Sequence, residues 1–190
     1  MKRQTSFHLG VLAVLAGVAL LAAGCGSIVV GSGELVTREY DFQGFSLLDV
    51  SQRFEVEVTR GDTHAVRVTV DDNLVERLRV RLDGDTLRIG LQGATASQGT
   101  TQRATVMLPE LGGSGGDASL EASGASSLEL GGLELASARV SLSGASRATV
   151  LASGTLDADL SGASSLSYAG HPSLGRVETS GASQIRPLAP

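Results

Sequence analysis

The 190-residue chain carries 20 acidic against 15 basic side chains, a formal charge of −5, which sets it against nucleic acid and anionic lipid as partners. Its one cysteine, Cys25, excludes an intrachain disulfide and any multi-thiol metal site, so neither a metal nor a cofactor is expected. With no tryptophan and 3% aromatic residues, the core has to be built from Leu, Val and Ala, which suits thin stacked β layers better than a bulky globule.

In chain order, Lys2 and Arg3 precede an apolar stretch, residues 9–21, and then Ala22, Ala23 and Gly24 lead to Cys25. That is the layout of a secretory signal peptide over residues 1–24. Residues 21–25, Leu-Ala-Ala-Gly-Cys, resemble a bacterial lipobox, in which the cysteine is acylated and the chain cut just before it; Ala22 stands where such motifs usually carry leucine. The competing reading, an uncleaved membrane helix, has only the 16 apolar residues 9–24 to work with. A bilayer needs about 20. The resemblance therefore makes Cys25 the lipid-attachment residue and the membrane a partner through the N-terminal anchor. Gly26 rather than aspartate follows it, which in such lipoproteins implies the outer membrane or cell surface. Cleavage removes Lys2 and Arg3 and leaves 13 basic against 20 acidic residues, a charge near −7.

Residues 25–43 read as the anchor cysteine and a spacer containing Gly31, Ser32 and Gly33. Residues 44–111 read as short strands. Phe54, Val56 and Val58 alternate with polar residues, Arg60-Gly61-Asp62 turns the chain, and Val66, Val68 and Val70 alternate again. In this setting the Arg-Gly-Asp tripeptide is a turn and not a ligand for an animal receptor. A helical turn is predicted over 74–78, a tight turn at Asp83-Gly84-Asp85 between Val80/Leu82 and Leu87/Ile89/Leu91, an exposed loop over 92–102, and another strand over 104–108 that Pro109 either ends or leaves at a sheet edge.

Residues 112–190 carry Ser-Gly-Ala-Ser four times, at 123–126, 143–146, 161–164 and 180–183, with starts 20, 18 and 19 residues apart. Aligned on these marks, Leu120, Val140, Ala158 and Val177 form an apolar column, whereas Ser119, Arg139, Asp157 and Arg176 form a polar one. Apolar residues alternate again past each mark, as at Leu128/Leu130 and Leu166/Tyr168, so each unit holds a second strand. A contour of about 60 Å per unit leaves room for three short sides. The predicted fold is all-β: a right-handed parallel β-helix, or solenoid, of about four coils, preceded by the short-strand β region. The marks are either sharp corners or straight strand. In the straight case Ser126, Ser146, Ser164 and Ser183 turn inward and seek partners in the next coil.

The outward column Arg139, Asp157, Arg176, with Asp159 on the same face, is the most enzyme-like constellation, since polysaccharide-cleaving enzymes on β-helices use outward Asp and Arg. The simpler expectation is an exposed ion ladder. Calcium at Asp157/Asp159 would need six or more oxygens. Gly112-Gly113-Ser114-Gly115-Gly116-Asp117 reads as a linker, not a calcium-binding turn, and His64 and His171 read as isolated loop residues.

Taken together, residues 45–50, the strand ending in Arg60-Gly61-Asp62, Asp72-Asn73-Leu74, Asp83-Gly84-Asp85-Thr86-Leu87, Leu108-Pro109-Glu110-Leu111 and the Ser-Gly-Ala-Ser marks resemble the auto-transporter adhesin head GIN domain family over about residues 44–188. The resemblance implies a β-solenoid in the cell envelope, with no catalytic residues to carry over. The function expected is a lipid-anchored, non-enzymatic envelope protein presenting its β surface for adhesion or scaffolding to an envelope, glycan or protein ligand; the last coil is capped, exposed or paired with another copy in an oligomer through the solenoid end. The alternative is a polysaccharide-active enzyme using the outward Asp and Arg residues.

Overall fold

The computed structural model describes residues 29–93, 97–109, 111 and 117–188. The signal peptide, Cys25 and the glycine-rich stretch 112–116 lie outside the described residues.

The structure corrects the expected β-helix. It contains two mixed sheets, mostly parallel, neither of which closes on itself. The chain order is β1 (Val29–Val30), β2 (Leu35–Tyr40), β3 (Leu47–Val50), β4 (Glu55–Arg60), β5 (Ala65–Asp71), a 3-10 helix (Asp72–Arg77), β6 (Leu78–Asp83), β7 (Thr86–Leu91), β8 (Ser97–Gln98) and β9 (Gln102–Leu108). It continues through β10 (Asp117–Ala122), β11 (Ser127–Leu135), β12 (Ser137–Leu142), β13 (Arg147–Ala152), β14 (Thr155–Leu160), β15 (Ser165–Gly170), β16 (Ser173–Thr179) and β17 (Gln184–Pro187). The seven-stranded sheet runs β16-β14-β12-β10-β3-β7-β6 and the eight-stranded sheet β17-β15-β13-β11-β4-β9-β5-β2; β1 and β8 form a separate parallel pair. Antiparallel pairing is confined to β2–β5, β5–β9 and β6–β7.

Period-2 patterning builds both sheets. Val56 and Val58 in β4, Leu120 in β10 and Val140 in β12 point into a shared core while Glu55, Glu57, Glu121 and Arg139 point out. That core is made almost wholly of Leu, Val, Ile and Ala, with Phe45 and Phe54 the only buried aromatics among the described residues. One unit explains why two sides suffice where a third was expected: β12 uses six residues, the Ser-Gly-Ala-Ser segment four, β13 six, and Ser153-Gly154 turn back to β14. Residues counted as contour are consumed in turns.

The Ser-Gly-Ala-Ser segments are corners that carry the chain from one sheet to the other. Their glycines take the left-handed conformation, Gly124 at φ 78°, Gly144 at 74°, Gly162 at 76° and Gly181 at 70°. Each corner hydrogen-bonds to the one before it, the amides of Ala145, Ala163 and Ala182 donating to the carbonyls of Gly124, Gly144 and Gly162 at 2.7–2.8 Å. The last serine of the first three does turn inward, and Ser126, Ser146 and Ser164 are buried. Its hydroxyl donates to the carbonyl of the first serine of its own segment, at 2.8–2.9 Å, and not to a neighbouring corner. Ser183, in the last segment, is only half-buried.

The first corner rests on residues 50–54, since the amides of Ser123 and Ser127 donate to the carbonyls of Val50 and Phe54 at 2.9 and 2.8 Å. Here Gln52 (φ 57°) and Arg53 (φ 68°) both adopt the left-handed region without being glycine. Gln52 is clamped there, its Oε1 accepting the Leu91 amide at 3.0 Å and the Ser51 hydroxyl.

The N-terminal residues are held by the β1–β8 pair, by the Gly31 amide donating to the Gln98 carbonyl at 3.1 Å, by Asn73 Nδ2 donating to the Val30 carbonyl at 2.9 Å, and by one buried carboxylate. Asp71, at the end of β5, is 1% exposed, and accepts the Gly33 amide on Oδ1 at 2.8 Å and the Thr101 amide on Oδ2 at 2.6 Å. The Thr101 bond first, then the Gly33 bond, hold its carboxyl below the usual range against the burial that pushes it up.

Candidate functional site

The outward column of the seven-stranded sheet carries the most enzyme-like constellation of the sequence, for which an exposed ion ladder is the simpler expectation. β12 and β14 are in parallel register with Arg139 beside Asp157, and Arg139 Nη2 lies 3.4 Å from Asp157 Oδ2. The third member departs from the column. Between Leu156/Leu174 and Ala158/Val177 the β14–β16 register slips by one residue, a bulge at Gly175 and Arg176. Asp157 Oδ1 caps this bulge by accepting the Arg176 amide at 2.8 Å. A Cβ on residue 175 would lie 2.2 Å from that oxygen, which is why glycine stands there. The Arg176 guanidinium turns instead to Glu178 Oε1, at 2.9 Å from Nε and 2.7 Å from Nη2, and Glu178 first, with Asp159 and Asp157 adding, raises its pKa.

Asp157 is thus a strand-positioning group with both oxygens occupied. Asp159 is exposed on the same face, beside Glu178 of β16. Among the described residues, no three His, Cys, Asp or Glu side chains gather to hold a metal. His64 is half-buried immediately before β5, and His171 is exposed between β15 and β16. We expect Asp157→Ala to lower stability by about 1–2 kcal/mol, through an amide left without its charged acceptor, as read by urea unfolding. It should abolish no polysaccharide cleavage; a cleavage activity lost with this substitution would restore the enzymatic alternative.

A second polar cluster on the same sheet was missed at the sequence level. Arg81 of β6 stands directly opposite Arg88 of β7, a like-charge pairing that destabilises an antiparallel ladder unless it is neutralised. Asp83 bridges both, 2.7 Å from Arg81 Nε and 3.2 Å from Arg88 Nε, and Asp49 of β3 lies 2.6 Å from Arg88 Nη1. Arg79 Nη1 donates to the carbonyls of Glu76 and Leu78 at 2.9 and 2.8 Å, and its Nη2 to Gln92. The signal was present in the alternation Arg77-Leu78-Arg79-Val80-Arg81, but Asp49, which binds Arg88, comes from a strand 39 residues earlier. Every guanidinium of the trio is committed to a neighbour. The cluster is a charge network over β3, β6 and β7, not a set of groups converging on a substrate.

The remaining candidate surface is the end formed by β16 and β17, the outermost strands of the two sheets on one side. All seven residues of β16 are exposed, and Leu174, Val177 and Leu188 are three of the five exposed large apolar residues described. The signal in the sequence was the apolar column itself, whose member Val177 is 37% exposed where Val140 is fully buried. Cys25, the predicted lipid-attachment residue, lies outside the described residues; no helix among the described residues is long and apolar enough to cross a membrane.

The family model described as "Putative auto-transporter adhesin, head GIN domain" matches residues 44–112 and 109–172. No curated protein matches the chain. Among solved structures, similarity extends to a "putative adhesin" of Bacteroides fragilis (16% identity, 84% of this chain and 100% of that one, TM-score 0.40). It also extends to a "putative lipid binding protein" of Parabacteroides distasonis (13%, 86% and 100%, TM-score 0.43). A "putative cell adhesion protein" of Clostridium sporogenes is similar at 9% identity (81% and 99%, TM-score 0.42).

Proposed function

The chain belongs to the family described as "Putative auto-transporter adhesin, head GIN domain", and from that premise we propose that it is a non-enzymatic adhesive head on the cell envelope, held there by a lipid on Cys25. Family membership supports a cell-surface or envelope role. The observation that carries the reading is the opposition of its two ends. Gly33, eight positions after Cys25, is bound at Asp71 beside β2, the edge strand of the eight-stranded sheet. β17 is the opposite edge of that same sheet. A chain tethered by its N-terminal end would therefore hold the uncovered β16/β17 end away from the membrane, as a binding head requires.

The alternative of a polysaccharide-active enzyme has its carboxylate already occupied, Asp157 being bound to Arg139 and to the Arg176 amide. The adhesive reading predicts saturable binding of the chain to cells, envelope fractions or an array of glycans. Absence of saturable binding to all three would sink it. The anchor is checked separately: Cys25→Ala should release the protein from the membrane fraction, and retention there would count against the lipid.

A further inference from the structure

We propose that the β16/β17 end is a docking surface for a second copy of this chain, joined edge to edge about a two-fold axis; this rests on the adhesive reading and names its partner. The two ends of the molecule are finished differently. At the N-terminal side the 3-10 helix Asp72–Arg77 crosses from β5 in one sheet to β6 in the other and buries Leu74 completely. Among the described residues nothing equivalent crosses the other end. Leu174 is 47% exposed although Leu156, its neighbour in β14, is 0%, and Val177 is 37% exposed against 3% for Ala158. Ile185 of β17 is half-buried beside fully buried Leu166. Apolar groups and two strand edges with free pairing capacity therefore lie side by side.

Charge selects the occupant. In an antiparallel pairing of β16 with its own copy centred on Val177, residue 176 of each strand faces residue 178 of the other. Arg176 then meets the second copy's glutamate, and Glu178 meets its arginine, so both contacts join opposite charges. The two groups already attract each other within one strand, at 2.7 Å, and are exposed enough to exchange partners. An axis perpendicular to the sheets would bring β17 against its own copy in the same step. Such an interface is isologous and closes at two copies, so it does not propagate into a fibre.

The geometry also selects the setting. β2 and β17 are separated by seven strand spacings in the eight-stranded sheet. At about 4.8 Å each, that is about 34 Å. Pairing through the open ends directs the two N-terminal ends away from each other, about 70 Å apart. Copies on two facing membranes meet this requirement, whereas copies side by side on one membrane do not. The partner is the same chain on a neighbouring cell.

Beads carrying the unacylated full chain through its single thiol, Cys25, test this. Wild-type beads should aggregate. Beads bearing Arg176→Glu alone, or Glu178→Arg alone, should aggregate at least about tenfold less, because each then sets like charges against like at both contacts. Mixing the two kinds of variant bead restores opposite charges across the interface and should recover aggregation, an outcome that misfolded variants could not give. Wild-type beads that stay dispersed but bind envelope fractions overturn the pairing and leave the adhesive reading standing; beads that do neither overturn both. Aggregation that survives each single reversal overturns the pairing as well.

Discussion

Gly144→Ala and Gly162→Ala should each lower stability by about 2–4 kcal/mol, while Gly124→Ala should cost only about 1–2 kcal/mol. All three glycines sit in the left-handed region, at φ 74°, 76° and 78°, so a side chain is strained at each. They differ in what lies underneath. A Cβ on Gly144 would be 2.4 Å from the Gly124 carbonyl oxygen, and one on Gly162 2.4 Å from that of Gly144. Backbone cannot swing aside as a side chain can, so the corner must lift and the amide bonds from Ala145 or Ala163 must stretch. At Gly124 the nearest atom is the Gln52 nitrogen at 3.4 Å, an ordinary contact. Urea unfolding of the three variants, compared at constant slope, measures the grading. Equal losses at all three positions would mean that backbone conformation, and not the stacking of one corner on the next, is why glycine is needed.

Asp71→Asn should cost about 3 kcal/mol at neutral pH, although it changes the shape of the side chain very little. Two amides, those of Gly33 and Thr101, donate to the buried carboxylate. An asparagine there offers one acceptor and turns an NH₂ group towards a donor. The pH dependence carries a definite sign. Because the folded-state pKa lies below that of the unfolded chain, the stabilisation is present above the unfolded value of about 3.9 and is lost as pH falls through the folded value. The wild type should therefore lose stability on acidification with a component that the variant lacks. A variant that follows the wild-type acid slope would remove Asp71 as its source. Protease cleavage near residues 31–34 should appear in the variant first, since the Gly33 amide is released there.

How far the sequence foretold this molecule depends on whether a feature is local. The alternation of Val66, Val68 and Val70, the tight turn at Gly84 between β6 and β7, and the helical turn near Leu74 are written in neighbouring residues, and all are present. Pairing partners are not written that way. Arg60-Gly61-Asp62 joins β4 to β5 as a turn, yet these strands are not neighbours, because β9 from 40 residues later inserts between them. A period-2 pattern states which face of a strand is buried and leaves open what lies beside it. The same limit applies to the outward residues. Arg139 and Asp157 were correctly set side by side by aligning the Ser-Gly-Ala-Ser segments, but the bulge that hands the Arg176 amide to Asp157 depends on Gly175, which no fixed offset reveals. The choice between two sheets and a three-sided coil turned on how many residues the corners absorb, a matter of backbone conformation at Gly124 and its counterparts.

Beyond the short β1–β8 pair, the Asp71 clamp also determines how force from the N-terminal side passes into the eight-stranded sheet. β2 is an edge strand, paired only with β5, and a pull delivered to its first residue, Leu35, would peel it away one hydrogen bond at a time. Gly33 comes before Leu35, and its bond to Asp71 passes the load directly to the end of β5, while Thr101 on the other carboxylate oxygen passes it on to β9. Tension from the N-terminal tether thus bypasses the weakest strand and reaches the interior of the sheet, and stretching single molecules should rupture Asp71→Asn at a lower force than the wild type.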